Sequence, residues 1–104
     1  MGHVPITFTD EPVYKRDLAV EGSDGALYRR ELAAGTAKWL HDHSILSYAC
    51  PCGCGMVNQI ATLGPAHGWT WNGNAEKPTL TPSIQHTSAC RWHGFLTDGV
   101  FVGA

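Results

Sequence analysis

Short strand-like runs, some alternating apolar and polar residues, recur along this chain and are cut by Gly, Pro and Asx-Gly pairs. Ile6-Thr7-Phe8-Thr9, lying between Pro5 and Pro12, reads as a short strand. Ile45–Ala49 runs directly into a cysteine-rich stretch, and 56–63 follows, long enough to pair back as a hairpin. Trp69-Thr70-Trp71 is an aromatic strand that stops at Asn72-Gly73, a strong turn pair. Residues 79–87 are rich in Thr and Ile, but Pro82 makes this an edge strand or a bent one. The runs 94–96 and 100–102 flank Asp98-Gly99, a two-residue hairpin turn. Only 26–34 (ALYRRELAA) carries helical signals, with Asp24 placed to cap it and Gly35 to end it. The pattern predicts a mainly β fold, a small antiparallel sheet or sandwich-like domain, with one short helix near 26–34.

Composition narrows this picture. The 104 residues make one domain, 1–104, with no room for a second. Twelve Gly and six Pro exclude a helical bundle or coiled coil. Four Trp, three Tyr and three Phe supply core anchors and exclude disorder. With seven Lys and Arg and a net charge of −2, the chain lacks the basic footprint of a nucleic-acid binder. No apolar run approaches the roughly 18 residues of a membrane span. The first ten residues carry neither a basic nor an apolar leader segment, so a cytoplasmic setting is expected.

That setting changes the reading of the four Cys and six His. Thiols stay reduced there, so clustered Cys are metal ligands before they are disulfides. The central motif is Cys50-Pro51-Cys52-Gly53-Cys54-Gly55, whose Pro and Gly residues permit a tight turn around one ion. Cys90-Arg91-Trp92-His93 supplies a second half, completing the two-part arrangement of structural zinc. Five candidates compete for four positions: Cys50, Cys52, Cys54, Cys90 and His93. The expected set is two of the three clustered Cys with Cys90 and His93, and spacing does not choose between the pairs. One structural zinc ion is expected, with an iron–sulfur cluster as a lesser variant. Such a clip closes a loop of 36 positions from Cys54 to Cys90, which is useful to so small a chain. His41-Asp42-His43 reads as a solvated turn.

Catalytic frames are sparse. No Glu lies within a His-x-Glu or His-Glu-x-x-His frame, and there is no P-loop or nucleophile elbow. Ser83, in Thr81-Pro82-Ser83, reads as capping a bent strand and not as a nucleophile. The balance therefore falls against an enzyme. Trp69, Trp71 and Trp92 are candidates for an interaction surface, with core filling as the competing role.

Several of these motifs together resemble a known family. The order Cys-Pro-Cys-Gly-Cys-Gly (50–55), Gly-Trp-x-Trp-Asn-Gly (68–73), Lys-Pro-Thr-Leu-x-Pro-Ser-Ile (77–84), Cys-x-x-His (90–93) and Leu-x-Asp-Gly (96–99) is similar to small proteins of phages, prophages and bacteria classed as a domain of unknown function. Some of them carry an ammonia monooxygenase label, for which this chain has no copper site of the expected kind. The resemblance covers about 48–102 and implies a zinc-binding β core there, with 1–47 less recognisable. It implies a phage origin, whereas bacterial relatives associated with ubiquitin-like conjugation gene sets imply an accessory role. The expected function is a zinc-stabilised protein-interaction module, such as a capsid or tail accessory or decoration protein, located in the host cytoplasm or assembled into the virion. Its expected partner is a viral or host protein, or a second copy of itself. The alternatives are an inhibitor of a host system and a small zinc-dependent enzyme.

Overall fold

A computed structural model describes residues 2–64, 66, 68–87 and 90–104. Among these residues, eleven short strands fall into two sheets. β1 (His3–Pro5), β11 (Val100–Gly103), β10 (His93–Thr97), β9 (Leu80–Gln85) and β8 (Thr70–Trp71) form a five-stranded sheet in that order. The second sheet has six strands in the order β2 (Thr7–Phe8), β5 (Thr36–Leu40), β6 (Ile45–Ala49), β7 (Met56–Ala61), β4 (Leu27–Tyr28) and β3 (Val20–Glu21). The mainly β, sandwich-like expectation therefore holds. One pair departs from the antiparallel rule: β2 runs parallel to β5, because the chain leaves β1 at Ile6 and crosses to the other sheet. Strands from residues 1–47 complete both sheets, with β1 pairing β11 and β5 pairing β6.

No helix forms over 26–34. Leu27 and Tyr28 pair instead with Val57 and Met56 of β7, and the chain then turns. Burial explains the outcome. Leu27 is buried, and so is Arg29, two positions later, which is a strand period and not a helical one. The Arg29 guanidinium donates to the carbonyls of Pro12 and Val13 and to the Glu31 carboxylate. Its backbone N–H donates to Gly55 C=O at 2.7 Å. These tertiary bonds override a modest local helix propensity. Outside the strands, the described residues hold one 3₁₀ turn, Arg16–Leu18. Among the described residues, no helix is long and apolar enough to cross a membrane.

Between the sheets lies the main core, built from Ala37, Leu46, Tyr48 and Ile60 of one sheet and Leu80, Ile84, Leu96 and Phe101 of the other. Trp39, Trp69, Trp71 and Trp92 pack against its margin. Trp39 and Trp71 come from different sheets and meet with ring centroids 4.9 Å apart, closing one side of the sandwich. The three Trp proposed for an interaction surface are thus half-buried core neighbours. A small β domain needs such large side chains to fill its interior.

Two turns follow from the sequence directly. Asp98-Gly99 joins β10 to β11 with both residues at positive φ, 54° and 77°, the twist a two-residue hairpin turn needs. His41, Asp42 and His43 form the β5–β6 turn in left-handed conformations; His41 and Asp42 are exposed, as expected of a solvated turn, whereas the His43 ring packs against Trp39 and Trp71. His67 lies outside the described residues.

Candidate metal centre and catalytic pair

The cysteine-rich stretch is the turn of the β6–β7 hairpin. Ala49 and Val57 make the last ladder pair, and the Cys50 N–H then donates to Met56 C=O at 2.7 Å. The intervening residues reverse direction through Gly53 N–H to Cys50 C=O at 3.1 Å. Gly55 sits at φ 92°, and a Cβ there would meet Arg30 Cα at 2.9 Å. Only glycine therefore gives both the left-handed turn and the close pass of the chain that follows β4.

This turn carries Cys50, Cys52 and Cys54, and Cys90 approaches from the segment ahead of β10. The four sulfurs all lie within 4.8 Å of one another. Cys50 Sγ is 3.4 Å from Cys52 Sγ and 3.3 Å from Cys90 Sγ, and Cys52 and Cys90 are 2.7 Å apart. None of the four is in a disulfide. Four thiolates at about 2.3 Å from one ion stand roughly 3.7 Å apart in a tetrahedron; the three spacings here are shorter than that, and all four sulfurs are close enough to reach one ion. Cys50 is buried, Cys54 half-buried, and Cys52 and Cys90 exposed, so the cluster is a knuckle with one side against the core and one in solvent.

Electrostatics favour a cation there. Burial pushes the Cys50 thiol well above its ordinary range, and it lifts Cys52 to about 11 with help from Cys90. Cys54 moves the other way: burial opposes its ionisation, but the Met56 N–H and the neighbouring thiols outweigh it. A backbone N–H aimed at sulfur steadies a thiolate. Four sulfurs this close cannot all ionise without a positive charge among them. The residues present therefore fit a metal, and four protein ligands leave no open coordination position, which is the arrangement of a structural site.

Of the five sequence-derived ligands, the structure gathers the four Cys. His93 is not in the group. Arg91 takes a positive φ of 58°, which swings the chain between Cys90 and β10. Trp92 then turns inward, with its ring centroid 6.1 Å from that of Phe101, and His93 is turned to the outer face. Alternation along a strand makes these two directions opposite.

On that outer face His93 meets a different partner. Its Nε2 lies 3.1 Å from Ser83 Oγ. The pairing of β9 with β10 sets His93 opposite Gln85, so Ser83, two residues earlier, is its diagonal neighbour on the same face. The Phe95 ring stands beside the imidazole with centroids 6.4 Å apart. The Ser83 carbonyl accepts from Trp69 Nε1 at 3.2 Å, which fixes this part of β9. A hydroxyl within reach of an imidazole nitrogen, partly open to solvent, is the arrangement of an activated nucleophile and its base. Sequence reading missed this pair because it assigned His93 to the metal and Ser83 to a strand cap. The signal lay in the two strands, since an antiparallel pairing of 80–85 with 93–97 puts both residues on one face. A cavity of about 500 Å³ bordered by Pro51, Cys52, Arg91, Trp92 and His93 lies between the cysteine turn and β10.

Comparison with known proteins gives one family. No curated protein and no solved structure matches the chain. A family model described as bacterial ubiquitination-like system serine protease (BubE) matches residues 23–104. This overturns the expectation of a phage capsid or tail module, which rested on motifs without the Ser83–His93 geometry, and points to a bacterial system. With the match covering both the cysteine cluster and the Ser83–His93 pair, the chain belongs to the BubE family of bacterial ubiquitination-like system serine proteases.

Proposed function

We propose that this chain is a serine protease of a bacterial ubiquitination-like system, with Ser83 as nucleophile, His93 as general base and one structural zinc on Cys50, Cys52, Cys54 and Cys90. The observation that carries the reading is the 3.1 Å approach of Ser83 Oγ to His93 Nε2 in a chain of this family.

The chemistry follows from the two side chains. His93 acts in the tautomer with Nε2 free, so that Ser83 Oγ–H donates to it. As the oxygen attacks the substrate carbonyl, Nε2 takes the hydroxyl proton and the tetrahedral intermediate forms. The imidazolium then gives that proton to the departing amine, leaving an acyl ester on Ser83. Water, deprotonated by the same nitrogen, attacks the ester and frees the acid product and the hydroxyl.

Zinc suits the donor set because four thiolates in tetrahedral reach select zinc or an iron–sulfur centre, and the closed set suits a cross-link and not a reaction. When bound, it supplies a link between the β6–β7 turn and the start of β10, the strand that carries His93.

The reading is tested by cleavage of a fusion between a ubiquitin-like modifier of such a system and a reporter protein. Wild type is expected to release the reporter, and Ser83→Ala and His93→Ala to lose at least about 10³-fold in rate while keeping the fold. Equal cleavage by Ser83→Ala would overturn it.

A further inference from the structure

One buried polar chain is used neither by the fold's ladders nor by the catalytic pair, and it ends on a cysteine of the cluster. Asn58 Nδ2 donates to Tyr48 Oη at 3.4 Å. Tyr48 Oη lies 2.7 Å from His86 Nε2, and His86 Nδ1 lies 3.6 Å from Cys50 Sγ. Tyr48 and Cys50 are fully buried and His86 is 4% exposed, so these groups find their partners among one another.

The direction of each bond follows from counting protons. The Tyr48 oxygen receives one from Asn58, and its own proton needs an acceptor. The available acceptor is His86 Nε2, which must then be the bare nitrogen. A neutral imidazole with Nε2 bare carries its proton on Nδ1, and Nδ1 faces the Cys50 sulfur. The donors therefore all run one way: Asn58 to Tyr48, Tyr48 to His86, His86 to Cys50. A chain of aligned donors ending on sulfur favours a thiolate there, and a protonated thiol would leave the last donor poorly matched.

The same residue reaches the other site through its backbone. His86 N–H donates to Trp92 C=O at 2.8 Å, and the two rings stand 5.7 Å apart. Trp92 precedes His93, and His86 follows Ser83 by three residues. His86 thus touches the metal cluster with its ring and ties together the ends of the two strands that carry the catalytic pair.

We propose that His86 is a positioning residue joining the two sites: its Nδ1–H holds Cys50 as a metal-bound thiolate, in a tautomer fixed by Tyr48 and Asn58, and its backbone holds β10 in register beside Ser83. This rests on the metal and protease readings above. It adds a residue that neither the ligand set nor the Ser–His pair includes.

The test compares His86→Leu with His86→Asn, whose side-chain amide can still donate to Cys50 from near the Nδ1 position. Zinc affinity is measured by competition with a chromophoric chelator, and the cobalt-substituted protein gives the sulfur-to-cobalt charge-transfer band. His86→Leu is expected to lose about 10- to 100-fold in zinc affinity. Its band should move to longer wavelength, because a sulfur without its donor gives up an electron more easily. His86→Asn is expected to stay near wild type in both. At saturating zinc, His86→Leu, which keeps the backbone N–H to Trp92 but loses the ring beside it, should lower kcat with KM little changed. A folded His86→Leu with wild-type affinity and an unmoved band overturns the proposal, as does a cobalt spectrum showing nitrogen ligation that is lost with His86. A wild type that takes up neither zinc nor cobalt overturns the metal reading and this one with it. A wild type that binds cobalt but cleaves nothing removes the protease reading, and affinity and band position then decide this proposal alone.

Discussion

Ser83 Oγ and His93 Nε2 stand 3.1 Å apart on adjacent antiparallel strands, diagonal neighbours on the outer face of the five-stranded sheet. The contact owes nothing to the core. Ser83 is half-buried and His93 exposed, and the apolar residues of their strands, Ile84 and Leu96, point the other way. Replacing either by Ala is therefore expected to change stability by less than about 0.5 kcal/mol. Activity should fall at least about 10³-fold for each, and the double variant should lose little more, because the two act as a unit. Thermal melts and turnover on one fusion substrate check both halves.

Metal removal should act on the fold. The cluster ties the β6–β7 turn to the start of β10, across about 36 residues of chain from Cys54 to Cys90. Losing even about 3 kcal/mol lowers Tm by roughly 12–24 °C in a domain of this size. A strong chelator, or Cys50→Ala, is expected to give at least that loss in calorimetry. Cys52→Ser, at an exposed ligand position, should give less than Cys50→Ala.

Arg29 anchors the segment that refuses to be a helix. Its guanidinium reaches Pro12 C=O at 2.6 Å and Glu31 at 2.8 Å, with 9% of the residue exposed. Arg29→Met would take this donor from the buried Val13 carbonyl and the part-buried Pro12 carbonyl and is expected to destabilise by about 2–3 kcal/mol, read from urea denaturation.

Glu31 gives the pH dependence of that anchor. Its own backbone hydrogen bond and the Arg29 side chain hold its carboxyl below the usual range. A lowered folded-state pKa stabilises the native chain above the unfolded-state value, and the contribution is lost as pH falls through the folded value. Wild type and Glu31→Gln should therefore converge in stability as pH falls through that lowered folded value, with the acid slope of Glu31→Gln the flatter of the two. Parallel slopes across pH 3–6 would remove Glu31 from the acid response.

Phe101 joins the two sheets inside the main core. It is fully buried, stacked on Tyr48 at 5.5 Å and edge-on to Trp92 at 6.1 Å. Phe101→Ala is expected to cost about 3–5 kcal/mol. Because Trp92 precedes His93, the same variant should also lower turnover, which a stability-corrected assay would show.

Much of the fold was legible because local chemistry and tertiary need agreed. The 45–49 and 56–61 runs, the Asp98-Gly99 turn and the 100–103 strand carry their periods and turn residues in plain order. Residues 26–34 misled because Arg29 looks like a surface helix residue until Pro12 and Val13 arrive to bury it. The cysteine cluster was legible from spacing. His93 was not, since Cys-x-x-His spacing is shared by ligation and by a strand that starts after a left-handed Arg91. Ser83 was hidden for the same reason: its partner lies on another strand, and only the register of β9 against β10 brings the two together.

The assignment of Ser83 as nucleophile is tested most directly by a fluorophosphonate probe, with the labelled residue located by peptide mass spectrometry on the zinc-loaded protein. Labelling is predicted on Ser83, absent in Ser83→Ala and strongly reduced in His93→Ala. A folded, zinc-loaded wild type that takes no label, or takes it on another serine, would contradict it.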